Sequence, residues 1–201
     1  MANSHDEHEH WNRKYREAPG SWLIADPFLP RAFSEYISPL FPHGGSALDV
    51  AGGAGRHAIW LAEQGWEVTL IDISDTGAEQ ARQNAGPLAS HIHVVIDDLT
   101  HFKAAQTFAT AFGGPFDLVM VFFFLRREIF SELVTALRPG GLLVYKTYTR
   151  AQVELQVGPK NPEHLLEPRE LLQLAGSLDV LHYREEVAEK ATAELVARRD
   201  V

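Results

Sequence analysis

The sequence predicts an α/β fold in which a doubly wound, mostly parallel sheet of seven strands ends in a C-terminal antiparallel hairpin. Short aliphatic runs alternate with amphipathic helical patterns between residues 47 and 147, as in consecutive strand–helix units. These runs are apolar on both faces, which is typical of strands that helices cover on both sides. A turn of small residues, AGGAG at 51–55, follows the first strand, as in nucleotide-binding folds.

The N-terminal segment predicts helices ahead of the sheet. Its first ten residues are polar and are expected to fray. A short helix is predicted to carry Trp11 and Tyr15 on one face, and residues 28–40 predict a second helix with an apolar stripe. We therefore predict a single domain overall, in which residues 1–46 form a helical lid or cap and residues 47–201 form the ligand-binding domain proper.

The alternating pattern places the remaining elements. Strands are predicted at 47–51, 67–71, 93–96, 116–122 and, after a turn at 139–141, at 142–147. Helices are predicted at 56–64, 75–85, 128–137 and 168–175, and residues 102–112 predict either a helix or an irregular crossover. Segments 178–183 and 191–198, joined by a charged turn at 185–190, predict the closing hairpin.

Composition restricts the possible functions. The chain of 201 residues has a formal net charge of -9, which disfavours a protein that binds duplex nucleic acid through a basic face. It contains no cysteine, so disulfides, thiolate metal sites and a cysteine nucleophile are excluded. His5, His8 and His10 could bind a metal, but in a flexible acidic tail they are interpreted as surface histidines. The other histidines show no metal-ligand spacing, and no apolar run reaches the length of a membrane span. We expect a cytoplasmic monomer or homodimer with a small-molecule substrate and without nucleic acid, membrane or metal as a partner.

The glycine turn is compatible with two kinds of ligand. Gly53, Gly55 and Ala58 fit the dinucleotide fingerprint, and Asp72 follows Gly53 by 19 residues, where NAD-binding proteins place a ribose-binding acid. On this interpretation the chain is an NAD-dependent oxidoreductase. Asp49 argues against it, because a carboxylate directly before the turn repels a pyrophosphate but suits a ligand that carries ammonium and sulfonium groups.

Further features favour the sulfonium ligand. Asp98 and Leu99 end the third strand, where a carboxylate can accept an adenine amine and a backbone N–H can meet a ring nitrogen. The motif LRPGGLLV at 137–144 gives the fifth strand a glycine-led start, and a chain of this length leaves no room for a separate substrate domain.

Together these motifs resemble the class I S-adenosylmethionine-dependent methyltransferases, and more narrowly their small tellurite-resistance-type (TehB-like) branch. The blocks that carry the resemblance are WNRKY (11–15), DVAGGAGRHAIWLAEQGWEVTLIDIS (49–74), LRPGGLLVYKTYT (137–149) and GPKNPEHLLEPREL (158–171). The resemblance implies a Rossmann-like methyltransferase fold, S-adenosylmethionine as cofactor, S-adenosylhomocysteine as product and a small methyl acceptor. A non-catalytic module that only binds S-adenosylmethionine is a further alternative.

The sequence departs from this family at two positions. Relatives usually carry glycine where Ala51 stands. Because alanine is also small, cofactor binding is expected to survive unless that residue needs a positive φ. Relatives often carry an acid where Lys146 stands, near the substrate mouth. Lys146 therefore either changes the charge of the acceptor that fits or is a solvated lysine.

The resemblance also implies cofactor-binding roles at the strand ends. Asp49 would order the glycine turn and meet the methionine ammonium, and Asp72 would take both ribose hydroxyls unless it only caps the next helix. Asp98 would accept the adenine amine, with Asp97 as the alternative, and Leu99 would pack on the adenine. The complete predicted set is Asp49, Ala51, Gly53, Gly55, Asp72, Ile73, Asp98, Leu99 and Phe122.

The acceptor is expected at the end of the fourth strand. Phe122, Phe123 and Phe124 form an apolar wall there or belong to the core. Arg126 and Arg127 steer an anionic acceptor or begin the following helix. The predicted acceptor-binding set is Trp11, Tyr15, Phe123, Arg126, Arg127 and Lys146.

Methyl transfer needs alignment and a dry site, because the sulfonium is already activated and leaves as a neutral thioether. Trp11, Tyr15 and Trp22 form either a lid that excludes water or an ordinary packed helix. A soft or anionic acceptor, such as a thiolate, tellurite or selenite, needs no base. A hydroxyl or amine acceptor would need one, and the candidates are Tyr15, His10 and His57.

Overall fold

A seven-stranded sheet forms the centre of the structure, a computed structural model that describes residues 4–18, 20, 23–99 and 107–201. The strands are β1 Ser46–Val50, β2 Glu67–Asp72, β3 Ile92–Ile96, β4 Phe116–Phe122, β5 Leu137–Tyr148, β6 Asp179–Val187 and β7 Ala191–Arg198. Their order across the sheet is β3-β2-β1-β4-β5-β7-β6. Neighbours from β3 to β5 are parallel, whereas β7 lies antiparallel between β5 and β6. The predicted α/β fold with its antiparallel hairpin is confirmed.

Helices connect the strands and precede the sheet. They are α1 Ser4–Glu17, α2 Phe28–Ala32, α3 Ser38–Leu40, α4 Arg56–Glu63, α5 Asp75–Ala85, α6 Phe108–Phe112, α7 Phe130–Ala136 and α8 Glu170–Leu174. A π-helical turn, Phe33–Ile37, joins α2 to α3, so the helix predicted at 28–40 is continuous but contains one wider turn. Within the described ranges, no helix combines the length and the apolar character that crossing a bilayer requires.

Apolar side chains cover both faces of the sheet. On one face Leu48 and Val119 pack with residues of α6, α7 and α8. On the other face Leu70 and Met120 pack with residues of α2, α4 and α5. All seven residues of β4 are buried, and all of them except Asp117 are apolar. Burying such a side chain contributes about 1.5–3 kcal/mol.

The strand order creates a crevice at the carboxyl ends of β1 and β4. From β1 the chain proceeds to β2 and β3 on one side, and then crosses to β4 and β5 on the other. In open α/β sheets, ligands bind where the connections diverge in this way. The fold therefore brings the glycine turn after β1 and the phenylalanines at the end of β4 to one edge.

The structure corrects the prediction that the N-terminus frays. Residues 4–10 form the first turns of α1. Asp6 and Glu7 in its first turn and Lys14 and Arg16 in its last turn suit the helix dipole. Helix α1 is also held by contacts to α5, which the polar sequence of this segment did not indicate.

Two element boundaries also differ from the predictions. The turn predicted at 139–141 lies inside β5, because Leu137 already pairs with Phe116 before a shift in register. Strand β6 continues to Val187, so the hairpin turn is shorter than predicted. Of the helix predicted at 102–112, residues 102–106 lie outside the described residues.

Candidate functional site

A cavity opens at the carboxyl edge of the sheet, at the crevice between β1 and β4. Its wall is formed by Glu7, Trp11, Tyr15, Ala51, Gly52, Ala54, Arg56, His57, Asp72, Ile73, Asp97, Asp98, Leu99, Phe122, Phe123 and Phe124. These residues come from α1, from the turn after β1 and from the ends of β2, β3 and β4. The structure therefore brings together most of the residues that the sequence predicted for the cofactor and part of the predicted acceptor set.

The glycine turn connects β1 to α4 through three residues with positive φ. These are Ala51 at 56°, Gly53 at 56° and Gly55 at 85°. The backbone N–H of Gly53 donates to Asp72 Oδ2 at 2.8 Å. A Cβ on Gly53 would overlap the hydroxyl group of Tyr15, so the close approach of α1 to this turn requires glycine.

Ala51 has a positive φ, the backbone conformation in which alanine is less favourable than glycine. Its φ of 56° lies in the left-handed region, which costs an L-residue other than glycine about 1–2 kcal/mol. The turn keeps its conformation in spite of this cost. Ala51 is thus a strained residue in the wall of the cavity.

Asp49 is a buried carboxylate that forms no ion pair and no hydrogen bond of normal geometry with the described residues. Its side chain belongs to a residue that is 1% exposed, and neither carboxylate oxygen has a hydrogen-bond partner in the described part of the chain. Burial raises the pKa of Asp49 to about 7, although the Arg56 guanidinium and the backbone N–H of Ala58 act in the opposite direction. The carboxylate lies against Gly52, where a Cβ would come within 2.8 Å of Oδ2. A buried carboxylate is costly unless a cation or donor compensates it, so this position favours a ligand that supplies one.

Asp72 organises the two turns that follow β1 and β2. Its Oδ2 accepts the Gly53 N–H, and its Oδ1 accepts the backbone N–H of Ser74 at 2.8 Å. Burial raises the pKa of Asp72 to about 6, against the effect of these donors. The capping role that the sequence left open is therefore present. Each ionised oxygen has further acceptor capacity, and Asp72 lines the cavity, so a contact with a ligand hydroxyl remains compatible with it.

The acidic residues after β3 form one end of the cavity. Asp97, Asp98 and Leu99 all line it. The Asp97 N–H donates to the backbone oxygen of Asp72 at 3.1 Å, and Asp97 Oδ1 accepts the Asp98 N–H at 2.8 Å. Leu99 is buried. Both aspartates reach the wall, so the alternative between them stays open.

Aromatic residues after β4 form the opposite wall. The Phe122 ring stacks on His57 with centroids 4.0 Å apart. Phe123 has a φ of 59°, and its N–H donates to the backbone oxygen of Lys146 at 2.7 Å. Phe124 packs against the core. The three phenylalanines thus combine the two roles that the sequence left open, since they line the cavity and also join the core.

Helix α1 crosses the cavity and contacts both of its sides. Trp11 and Tyr15 line the cavity, and Tyr15 is 7% exposed. On the α5 side, Asn12 Oδ1 accepts the Ser74 hydroxyl at 2.5 Å and the Thr76 N–H at 3.2 Å. Trp22, the third residue of the predicted lid, lies outside the described residues.

The predicted acceptor-binding cations are all ion-paired. Arg126 donates to Glu7 of α1 at 2.8 Å, so this pair joins α1 to the loop after β4. Arg127 pairs with Glu170 and also donates to two backbone carbonyls, contacts that favour a structural role. None of Arg126, Arg127 and Lys146 is among the residues that line the cavity.

Lys146 is not a solvated lysine, contrary to one of the two alternatives. Its side chain is 13% exposed, and its Nζ lies 2.8 Å from Asp26 Oδ1 and 3.1 Å from Glu194 Oε1. Glu194 also pairs with Arg31. Lys146 is therefore part of a largely buried charge network behind the aromatic wall.

The contacts of the three candidate bases favour other roles. His57 Nε2 accepts the backbone N–H of Asp26 at 3.2 Å, so the acceptor nitrogen of its neutral ring is already used. Burial lowers the pKa of His57 well below its ordinary value. Burial raises the pKa of Tyr15, which disfavours a phenolate. His10 is exposed and does not line the cavity.

Several wall residues were absent from the predicted sets. Arg56 directly follows the glycine turn, and this position could have indicated it. Glu7 lies in a segment that predicted no structure, so the sequence carried no signal for it. No group of three or more potential metal ligands occurs in the described ranges.

The part of the chain that carries most of this site is similar to known methyltransferase domains. The family profile described as a methyltransferase domain matches residues 47–141, a segment that runs from β1 into β5. The tRNA 5-carboxymethoxyuridine methyltransferase of Escherichia coli K12 is 31% identical over 118 residues, which are 56% of this chain and 43% of that protein. The chain therefore spans less than half the length of this curated relative.

Two solved structures share the fold. The N-methyltransferase NodS of Bradyrhizobium japonicum, in complex with S-adenosyl-L-homocysteine, aligns with a TM-score of 0.70 and 18% identity over 98% of this chain and 99% of that chain. TehB from Haemophilus influenzae aligns with a TM-score of 0.68 and 15% identity over 97% of this chain and 68% of that chain. At these identities the likeness shows the fold.

Proposed function

Because residues 47–141 match a methyltransferase domain, we propose that the chain transfers the methyl group of S-adenosylmethionine to a small-molecule acceptor. The observation that carries this proposal is the unpartnered buried carboxylate of Asp49 beside the glycine turn. S-adenosylmethionine supplies the missing positive charge through its ammonium group. A pyrophosphate would instead add negative charge next to Asp49, which disfavours the NAD-dependent alternative.

The residues at the strand ends fit the rest of this cofactor. Asp72, already fixed by two backbone donors, would accept the ribose hydroxyls. Asp98 or Asp97 would accept the adenine amine, and the buried Leu99 would pack on the ring. Of the other predicted cofactor residues, Ala51, Ile73 and Phe122 line this cavity, and Gly53 and Gly55 belong to the turn between β1 and α4. When bound, the cofactor supplies a methyl group on a sulfonium that needs no further activation.

The role of the chain in the reaction would then be alignment and exclusion of water. The aromatic wall at Phe122 and Phe123 gives the acceptor an apolar side. We propose that residues 1–46 act as a lid through α1, because Tyr15 contacts Gly53 and Arg126 pairs with Glu7 across the cavity. This arrangement contributes through orientation and desolvation and does not require a base.

A small molecule fits the acceptor site better than a nucleic acid. The net charge of -9 opposes the binding of a polyanion, although the curated relative is named for a tRNA nucleoside. Membership of the TehB-like branch, and a thiol, tellurite or selenite acceptor, stay predictions from the sequence. So do a cytoplasmic location and a monomeric or homodimeric state.

Titration calorimetry with S-adenosylhomocysteine and NADH tests the proposed cofactor. We expect S-adenosylhomocysteine to bind with a micromolar Kd and NADH not to bind. Asp75→Asn, an exposed change on α5, provides a matched control for Asp49→Asn, which is expected to weaken binding. Micromolar binding of NADH without binding of S-adenosylhomocysteine would defeat the proposal.

Release of S-adenosylhomocysteine from S-adenosylmethionine then tests turnover. The acceptor panel consists of thiols, selenite, tellurite and small carboxylates. Turnover with any of them supports an enzyme. Binding of the cofactor without turnover across the panel would favour the non-catalytic binding module.

A further inference from the structure

Three cationic side chains from distant parts of the chain surround the ring of Phe123. The ring centroid lies 4.6 Å from Lys190 Nζ, 5.5 Å from Arg56 Cζ and 5.9 Å from Lys146 Nζ. Arg56 begins α4, Lys146 belongs to β5, and Lys190 lies in the turn between β6 and β7. In a chain with a net charge of -9, this concentration of positive charge beside one ring requires an explanation.

The three cations differ in how far protein carboxylates compensate them. Lys146 is neutralised by Asp26 and Glu194, each within about 3 Å. Lys190 is exposed, and in the described part of the chain no carboxylate lies within ion-pair distance of its Nζ. Positive charge therefore remains on the solvent side of Phe123, where a ligand can reach it.

Tyr148 adds a hydroxyl group to the same place. Its ring packs against Phe123 with centroids 5.1 Å apart, and the residue is half-buried. Among the described residues its hydroxyl has no hydrogen-bond partner. Burial raises the pKa of Tyr148 while the nearby Arg56 lowers it. The hydroxyl therefore stays protonated at neutral pH and is able to donate a hydrogen bond.

The backbone of Phe123 is strained in a way that fixes this arrangement. Its φ of 59° lies in the left-handed region, which is unfavourable for a bulky residue. Such strain persists where the surroundings determine the conformation, and it is concentrated at functional sites. Here the Phe123 N–H donates to the backbone oxygen of Lys146, which fixes the backbone that carries the ring beside the cations.

We propose that Arg56, Tyr148 and Lys190 form an anion-binding recess over Phe123 and that the methyl acceptor is a small carboxylate bound there. This inference rests on the proposed methyltransferase function. Asp72, Asp97 and Asp98 line the cavity at the ends of β2 and β3, whereas Arg56 and Phe123 of the recess line it at the start of α4 and after β4. A cationic cofactor and an anionic acceptor are thereby assigned to different parts of the cavity.

A carboxylate also fits the side chains available near the aromatic wall. The acceptor nitrogen of His57 is occupied by the Asp26 N–H, so His57 is not available to take a proton from a substrate at the aromatic wall. An ionised carboxylate oxygen forms its bond to the methyl carbon directly. The carbon–sulfur bond breaks, and its electron pair stays on sulfur. A neutral ester and a neutral thioether result, and no proton is transferred.

Ligand-observed NMR on the full chain saturated with S-adenosylhomocysteine tests this recess. The probes are benzoate and its neutral isostere benzamide. We expect benzoate to bind about fivefold or more tightly than benzamide, because only benzoate carries the charge. Equal affinities would overturn the inference. Displacement of benzoate by an equal concentration of selenite would show an oxyanion site without preference for carboxylates and would overturn the carboxylate assignment.

Substitutions at Lys190 and Arg56 test whether these side chains bind benzoate. Lys190→Gln is expected to weaken benzoate binding about threefold, and Arg56→Gln about tenfold or more, while Lys190→Arg keeps the affinity. Arg184→Gln removes an exposed cation elsewhere on β6 and is expected to change nothing. A benzoate affinity that is the same in Lys190→Gln, Arg56→Gln and the wild type contradicts the assignment.

Calorimetry with S-adenosylhomocysteine separates the two proposals. If the wild-type chain does not bind S-adenosylhomocysteine, the proposed function fails. If the chain binds it but does not prefer benzoate to benzamide, only the recess is wrong. Because Lys190 is exposed in a turn, its replacement by glutamine leaves folding intact, and a change in benzoate affinity reports on the recess itself.

Discussion

Replacing Ala51 by glycine is expected to stabilise the protein, although glycine usually destabilises. Ala51 has a φ of 56°, which is a conformation that glycine adopts about as readily as negative φ. The substitution removes a strain of about 1–2 kcal/mol. It also gives the unfolded chain more conformational freedom, which costs about 0.4–1 kcal/mol. The midpoints of these two ranges give an expected net gain of about 0.8 kcal/mol in the free energy of unfolding.

Thermal unfolding measures this gain. For a chain of this size, 1 kcal/mol corresponds to about 2–4 °C in Tm, so Ala51→Gly is expected to raise Tm by about 1–4 °C. Ala54→Gly is the matched control, because Ala54 lies in the same turn and is not among the residues with positive φ. That variant is expected to lose about 0.5–1 kcal/mol. Equal losses in both variants would refute the argument from backbone strain.

Asp72→Ala is expected to weaken the binding of S-adenosylhomocysteine by about 1–3 kcal/mol, because the ribose hydroxyls lose their charged partner. Calorimetry with Asp75→Ala as the control checks this, and an unchanged affinity would mean that the ribose lies elsewhere. Affinity for S-adenosylhomocysteine is expected to rise about tenfold from pH 6 to pH 8, because Asp49, whose folded pKa is raised to about 7, ionises over this range. Asp49→Asn should remove that rise. Because its pKa is raised on folding, Asp49 binds more protons in the ligand-free folded chain than in the unfolded chain between about pH 4 and pH 7, so its own contribution to stability falls as the pH rises through this window. The stability of the wild type relative to Asp49→Asn is therefore expected to fall with pH there, and a difference that stays constant would contradict the raised pKa of Asp49. Asn12→Ala removes the acceptor for the Ser74 hydroxyl and is expected to detach α1 from α5. Limited proteolysis would detect this as faster cleavage within residues 4–17. Unchanged cleavage would show that other contacts hold the helix.

Periodicity and turn chemistry were sufficient to predict the sheet. The bounds of β4, α5 and β7 agree with the prediction, because a largely apolar run in β4, a serine cap before α5 and the aliphatic residues of β7 are local signals. The continuation of α1 towards the N-terminus could not be predicted, because long-range contacts between Asn12 and α5 hold that helix. The turn expected at 139–141 depended on proline and glycine alone, and pairing with β4 overrides them.

The candidate site was predictable where function depends on position along a strand. Asp49, Asp72 and Asp98 stand at strand ends, and the order of strands determines that those ends meet. Side-chain partners could not be predicted in this way. The ion pair of Lys146 with Asp26 joins residues 120 positions apart, and the recess around Phe123 requires Lys190 from the closing hairpin.

A crystal structure of the chain with S-adenosylhomocysteine tests the central claim most directly. The account predicts the ligand in the cavity, with its amino group compensating Asp49, its ribose on Asp72 and its adenine between Leu99 and the acidic residues after β3. A ligand bound elsewhere, or an Asp49 carboxylate that still lacks any partner in the complex, would contradict it.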